Sequence, residues 1–225
     1  MKTIAVGIAL ALVAGTAQAA ENTLTAAERA AGWMLLFDGT STKGWRGFKT
    51  PEPDPGWTAK GELSPDPKTS KDLMTRDSFE NFDLTFEWKI GPKGNSGVMF
   101  HVTEAGGQTY ESGPEYQVLD NSRGEPPLEQ AGGLFALYAP EGAVTRPVGE
   151  YNTGRILVDH GKVEHWLNGV KVAAYDMNAA DFKARVAASK FARWSTFAAS
   201  PSGHIALQNH GDPVAFRNLK IRRLP

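Results

Sequence analysis

The chain of 225 residues contains no cysteine. That single absence excludes thiol catalysis, disulfide cross-links, zinc–thiolate sites and iron–sulfur clusters together. Charge of one sign is not in excess either: 24 Lys and Arg stand against 25 Asp and Glu. With no basic surplus there is nothing to neutralise a phosphate backbone, so nucleic acid is a poor partner. The 24 glycines and 14 prolines follow no period, which excludes collagen-like and low-complexity chains. What is present in quantity is apolar: 41% of residues are hydrophobic and 10% aromatic, enough to bury a core.

The longest apolar run is Ile4–Ala14, preceded by the single charge of Lys2 and followed by Ala17-Gln18-Ala19. It falls short of the roughly 20 apolar residues that span a bilayer. A short basic start, an apolar stretch and small residues at a cleavage position describe a secretory signal peptide over residues 1–19. The expectation is export, to a bacterial periplasm, of a mature chain 20–225 that has no membrane span and forms one domain. On oligomeric state the sequence is silent.

Within the mature chain, residues 21–31 predict one short helix, with Thr25 and Glu28 in capping-box spacing. The texture then changes to short runs of Val, Ile, Phe, Trp and Tyr punctuated by Gly, Pro, Asn and Asp. Strands are expected near 34–37, 81–90, 96–103, 114–119, 133–138, 154–159, 162–167, 170–175, 203–209 and 213–222. Asn168-Gly169 between the two strands at 162–175 is a strong hairpin signal. Residues 51–72, rich in Pro, Asp and Lys, predict a surface loop, and residues 179–193 a short surface helix. Many strands, few helices and no strand–helix rhythm predict an all-β, antiparallel two-sheet sandwich with one or two peripheral helices.

Alternation sorts these strands into faces. Phe82, Leu84, Phe86, Trp88 and Ile90 share one face, and Asp83, Thr85, Glu87 and Lys89 the other. Val98, Phe100 and Val102 oppose Gly97, Met99 and His101. Tyr116 and Val118 oppose Glu115 and Gln117, and Ile205 and Leu207 oppose His204, Gln208 and His210. Several outward faces thus carry acid, amide and imidazole rather than an ordinary solvated mixture, which suggests a ligand-binding concavity.

An ordered set of short blocks resembles a known family. Gly32-Trp33-Met34-Leu35-Leu36-Phe37-Asp38-Gly39 opens it, followed by Gly44-Trp45. Gly94-Asn95-Ser96-Gly97-Val98, Glu115-Tyr116-Gln117-Val118-Leu119-Asp120-Asn121 and Gly149-Glu150-Tyr151-Asn152 continue it. His165-Trp166-Leu167-Asn168-Gly169, Gly203–Gly211 and Phe216-Arg217-Asn218 close it. The set, covering about residues 32–223, resembles the 3-keto-disaccharide hydrolase domain family. Where that family commonly has Trp, Arg and Asp, this chain has Tyr151, His101 and Asn209. The resemblance implies a concanavalin A-like jelly roll and action on glycosides whose ring is already oxidised to a ketone at carbon 3.

Such a ketone acidifies the hydrogen on carbon 2. A base removes it, the enolate expels the glycosidic oxygen from carbon 1, and added water makes the outcome a net hydrolysis. The site needs a base, an acid and a stabiliser for the enolate. Glu115 and His210 are the leading acid–base pair, imidazole being able to serve either role near neutrality. Gln117 and Gln208 can hold sugar hydroxyls in two-point hydrogen bonds. His101, Glu87, Lys89, Arg217 and Trp45 complete the expected substrate contacts, Lys89 or Arg217 as the enolate's cation and Trp45 as a stacking face. A divalent cation bound by Glu87, His101, Glu115 and His210 would polarise the ketone directly, although no contiguous ligand motif occurs. Each residue has a plainer use: a structural salt bridge for Glu115, a turn cap for His210, the core for Trp45. The rival functions are a carbohydrate-binding, lectin-like module on the same fold and, below it, a two-carboxylate glycosidase. The strand with Glu115 carries Gln117 and then Leu119, so it lacks the second acid that last reading needs.

Overall fold

The computed structural model describes residues 21–142 and 144–225, so the expected signal peptide lies outside the described residues. Helix α1 spans only Ala26–Ala30, and both capping-box bonds are made: Glu28 N–H donates to Thr25 Oγ1 at 3.1 Å and Thr25 N–H to Glu28 Oε2 at 2.7 Å. The helix starts later than residue 21 because Asn22 leaves helical conformation (φ 54°) to exchange hydrogen bonds with Asn218.

The strands are β1 Trp33–Leu35, β2 Trp45–Gly47, β3 Thr58–Ala59, β4 Leu63–Ser64, β5 Leu73–Thr75, β6 Phe82–Ile90, β7 Asn95–Val102, β8 Glu115–Leu119, β9 Asn152–Asp159, β10 Lys162–Leu167, β11 Val170–Asp176, β12 His204–Leu207 and β13 Val214–Arg223. Helix α2, Ala180–Ala187, lies between β11 and β12 and is followed by a 3-10 turn at Lys190–Arg193. The larger sheet runs β11-β10-β9-β6-β13-β4-β3, with β1 also against β13. The smaller sheet runs β2-β5-β12-β7-β8, and all pairings are antiparallel. The expected all-β, two-sheet sandwich is therefore present.

The apolar face of β6 (Phe82, Leu84, Phe86, Trp88, Ile90) meets Val98, Phe100, Tyr116, Val118, Ile205 and Leu207 of the smaller sheet, all buried in one core. Burying each such side chain contributes about 1.5–3 kcal/mol relative to exposing it. Trp45 belongs to this core. It is fully buried and its indole N–H donates to Leu36 O at 2.7 Å, so it offers no face to a sugar. At Asn168 (φ 50°) and Gly169 (φ 82°) both central residues take the left-handed conformation a type I′ hairpin requires.

Three departures bear on the site. Residues 133–138 form no regular strand, because Gly132 (φ 90°) and Ala136 (φ 60°) turn the chain. The segment still covers the edge of β8: Phe135 N–H donates to Glu115 O at 3.0 Å, and Gln117 N–H to Gly133 O at 3.1 Å. The expected loop 51–72 contains β3 and β4. In β7 the alternation breaks at His101 (φ 51°), where the pairing with β12 shifts register. This bulge turns His101 inward, edge-on to Phe82 and Phe100, and puts Val102 on the outward face with Met74, Met99 and Ala206.

Candidate active site

A cavity of about 420 Å³ opens on the outward face of the smaller sheet. Its floor is made by Glu115 and Gln117 of β8, Asn95 at the start of β7, and Gln208 just past β12. Phe135 forms one wall; Lys190, Phe191, Arg193 and Trp194 form another. Tyr110 and His210 stand at the mouth. Sequence alternation had placed Glu115, Gln117, Gln208 and His210 outward, and the fold brings those four together.

Glu115 is 7% exposed and its carboxyl group receives no hydrogen bond among the described residues. It lies across Gly97 of the neighbouring strand, where an added Cβ would come within 2.0 Å of Oε1. Burial pushes its acidity down to a pKa of about 8; the nearby positive charge of Lys190 opposes the shift, while Asp72 and Glu129 add to it. Glu115 is therefore a protonated carboxylic acid at neutral pH.

Asp72, immediately before β5, is a second acid near this floor. Thr109 Oγ1 donates to its Oδ2 and Asn209 N–H to its Oδ1 at 3.0 Å. Burial raises its pKa, against the lowering effects of those two bonds and of His210. Asp72 thus ties the backbone beside His210 to the turn that carries Tyr110. Asn209 reinforces the tie, its side-chain amide donating to Ser70 O at 2.7 Å, Asp66 O at 3.2 Å and Pro67 O at 3.3 Å.

Two floor amides have unused acceptors. Gln117 Nε2 donates to Asn95 Oδ1 at 3.1 Å, but Oε1 of Gln117 and Oε1 of Gln208 are buried without a partner. A buried acceptor left unpaired costs about 1–3 kcal/mol, so the floor is prepared for a ligand rich in hydroxyl donors. At the mouth, Tyr110 and Trp194 pack edge to face at 5.6 Å, and the Arg193 guanidinium lies 4.3 Å from the Trp194 ring centre.

The other expected contacts are elsewhere. Glu87, Lys89 and Arg217 project from β6 and β13 on the outer face of the larger sheet, on the opposite side of the sandwich. Each is in an ion pair: Arg217 with Glu87 at 2.7 Å and with Glu21, Lys89 with Glu62 at 2.9 Å. Arg217 and Lys89 also lie over the Tyr151 ring, whose hydroxyl donates to Glu62. His101 is 3% exposed, and its Nε2 donates to Glu80 O at 2.8 Å. Burial lowers its pKa, and it does not reach the cavity around Glu115. The four supposed metal ligands Glu87, His101, Glu115 and His210 accordingly do not converge. Among the described residues no cluster of three or more His, Asp or Glu is arranged to hold a metal.

Asp72, Lys190, Trp194, Tyr110 and Phe135 were not singled out from the sequence. Asp72 ends a stretch read as surface loop, and Lys190 and Trp194 follow an amphipathic helix. The turn residues around them carry no periodic signal, so only the folded chain shows that they meet Glu115.

Comparison with known proteins decides the family. The sequence profile of the 3-keto-alpha-glucoside-1,2-lyase-like domain matches residues 32–222. The chain belongs to that family. A 3-keto-disaccharide hydrolase of Bacteroides thetaiotaomicron is 29% identical over 228 residues, spanning 86% of this chain and 79% of the relative. A crystal structure from Parabacteroides distasonis, of a protein provisionally assigned as a glycosyl hydrolase, superposes with a TM-score of 0.85 at 32% identity, covering 92% of this chain and all of that one. A second structure from the same organism, at 24% identity, covers 85% of this chain and 99% of that one with a TM-score of 0.64 and shares the fold. The lyase-like domain thus includes every residue that lines the cavity, from Asn95 to His210, and Asp72 behind it. In this member of the lyase-like family, His101 and Tyr151 are structural, and Asn209 staples the loop that presents Asp72.

Proposed function

We propose that this chain cleaves 3-keto glycosides by elimination, outside the cytoplasm after loss of residues 1–19. The observation that carries the reading is Glu115, an acid kept protonated to about pH 8 at the floor of a sugar-sized cavity. A binding module has no use for a buried, unpaired carboxyl group; a leaving alkoxide does.

In this mechanism Gln117 and Gln208 accept hydroxyl hydrogens and fix the ring. His210, at the mouth, takes the proton from carbon 2. The electron pair of that C–H bond forms a C2=C3 bond as the carbonyl pair moves onto the carbon-3 oxygen. When the carbonyl re-forms, the C1=C2 bond forms and the C1–O bond breaks. Glu115 gives its proton to the departing oxygen. The products are an unsaturated keto sugar and the free alcohol, and water adding at carbon 1 completes a net hydrolysis. The family membership and the hydrolase relative support the same substrate class.

The test incubates the purified protein with a 3-keto disaccharide and with its unoxidised parent, with and without chelator, following products by mass and NMR. Cleavage restricted to the keto compound is expected. Turnover of the parent alone sinks the keto-dependent mechanism, and binding of either sugar without turnover makes the protein a lectin. Recovery of the periplasmic protein with residues 1–19 attached would overturn the processing.

A further inference from the structure

The elimination puts negative charge on one atom, the carbon-3 oxygen, and something in the cavity has to hold it. Lys89 and Arg217, the cations suggested by the sequence, are paired on the far side of the sandwich. Lys190 lines the same cavity as Glu115. Its Nζ is 4.0 Å from the centre of the Phe135 ring, another wall of that cavity, and its charge acts on the Glu115 carboxyl group against the effect of burial. Among the described residues Lys190 makes no ion pair, whereas Lys89, Lys171 and Lys220 each do. Ser189 fixes the turn that starts at Lys190, its hydroxyl accepting from Phe191 N–H at 3.1 Å. The other cation of the turn, Arg193, donates through Nε to Lys190 O at 3.1 Å and stacks on Trp194.

Glu115, the acid at the floor, is held toward its neutral form by burial. Lys190 thus brings an exposed positive charge, without an ion-pair partner among the described residues, to the wall of the cavity, and such a cation stabilises an anion forming next to it. We infer that Lys190 is a catalytic residue of the elimination, donating a hydrogen bond from its ammonium to the carbon-3 oxygen and balancing the enolate charge. The inference rests on the 3-keto reading above. It adds no co-reactant: the proton from carbon 2 goes to the base, the electron pair comes to rest on oxygen beside Lys190, and the ammonium keeps its own protons.

The experiment separates enolate formation from leaving-group departure. A 3-keto-1,5-anhydroglucitol has the ketone and the carbon-2 hydrogen but no glycosidic oxygen on carbon 1 to expel. Its exchange of that hydrogen in D2O, followed by NMR, reports enolisation alone. Lys190→Met is expected to slow exchange and kcat by about 10²-fold with KM little changed, the usual cost of removing one oxyanion donor. Lys190→Arg, which keeps a charge in a different shape, should recover part of the loss. Because Lys190 also opposes the upward shift of Glu115, and Asp72 and Glu129 remain in place, Lys190→Met should move the alkaline limit of turnover to higher pH. That shift follows from the neighbouring charges alone, whereas the exchange rate of the probe, which needs no proton from Glu115, reads the enolate contact by itself. Lys190 is solvent-exposed, so melting temperature should be unchanged. Exchange by Lys190→Met at the wild-type rate, or a loss confined to KM, overturns the assignment and leaves the 3-keto reading standing. A wild-type protein that neither exchanges the probe nor cleaves a 3-keto glycoside overturns both.

Discussion

At the scale of single residues, the chemistry depends on how one carboxyl group is housed. Glu115 differs from the other acids of the chain in being buried without a hydrogen-bonded partner. Asp83, by contrast, is buried but is held by Arg155 at 2.6 Å and Arg222 at 3.2 Å, which makes it structural. If Glu115 supplies the proton to the leaving group, turnover should be constant below about pH 8 on the alkaline side and fall above it, as the acid form is lost. Glu115→Gln keeps the shape and one donor but has no transferable proton. Its kcat should fall by about 10²-fold or more, and the alkaline limb should vanish from what activity is left. A substrate with an already acidic leaving group, such as a nitrophenol, needs no proton and should restore much of the rate. Steady-state kinetics across pH 6 to about 10 with both leaving groups would show it. Equal losses for good and poor leaving groups would move Glu115 out of the acid's role.

At the scale of elements, alternation identified which side chains a strand turns away from its own core, and this held for β6, β8 and β12. It could not say which sheet a strand joins. Glu87 and Lys89 were correctly placed outward on β6, yet outward from the larger sheet is the side opposite Glu115. Alternation also fails wherever one residue leaves β conformation. The left-handed His101 reverses the face of everything after it in β7, and no local pattern of residue types announces a bulge at a histidine. Trp45 sits in a strand of three residues, too short for alternation to choose between core and rim. The long-range meetings at Asp72 and Lys190 come from loops, whose path depends on the finished sandwich. One element-level feature was visible as a motif but not as a function: the glycine of Asn95-Ser96-Gly97. Its φ is unremarkable, so its use is space. A methyl group at 97 would lie 2.0 Å from Glu115 Oε1 and 2.7 Å from its Cγ and Cδ. Gly97→Ala should therefore expel the acid from its bed on β7, removing most turnover while costing about 1–3 kcal/mol of stability, typical of overpacking. Paired activity and urea-denaturation measurements decide this, since normal turnover in a folded Gly97→Ala would mean that Glu115 has freedom the structure does not show.

At the scale of the whole molecule, two buried ionisable groups set opposing pH dependences of folding. His165 is fully buried, its Nδ1 donating to Gly132 O at 3.1 Å and its Nε2 accepting from the Tyr175 hydroxyl at 3.0 Å. Burial lowers its pKa from 6.5 to about 4, so below pH 6.5 the unfolded chain gains a proton that the folded chain refuses, and stability falls as pH drops toward 4. Glu115 acts in the reverse sense. Its pKa rises from 4.5 to about 8 on folding, so across that window the unfolded chain releases a proton that the folded chain keeps, and stability falls as pH rises. A pKa unit corresponds to about 1.36 kcal/mol, so the penalty at the top of the window is on the order of a few kcal/mol, a substantial part of a domain's net stability. Glu115→Gln removes this penalty without creating a cavity. The variant should melt at a higher temperature than the wild type at pH 8, by a smaller margin at pH 6, and by almost none near pH 4, where both states of the wild-type residue are protonated. Calorimetric melts across that range test the sign directly. A margin independent of pH would mean that the acid is not held neutral by burial. A margin that grows with pH in a variant that has lost turnover would show the sandwich giving up stability to keep one acid protonated at the floor of its cavity.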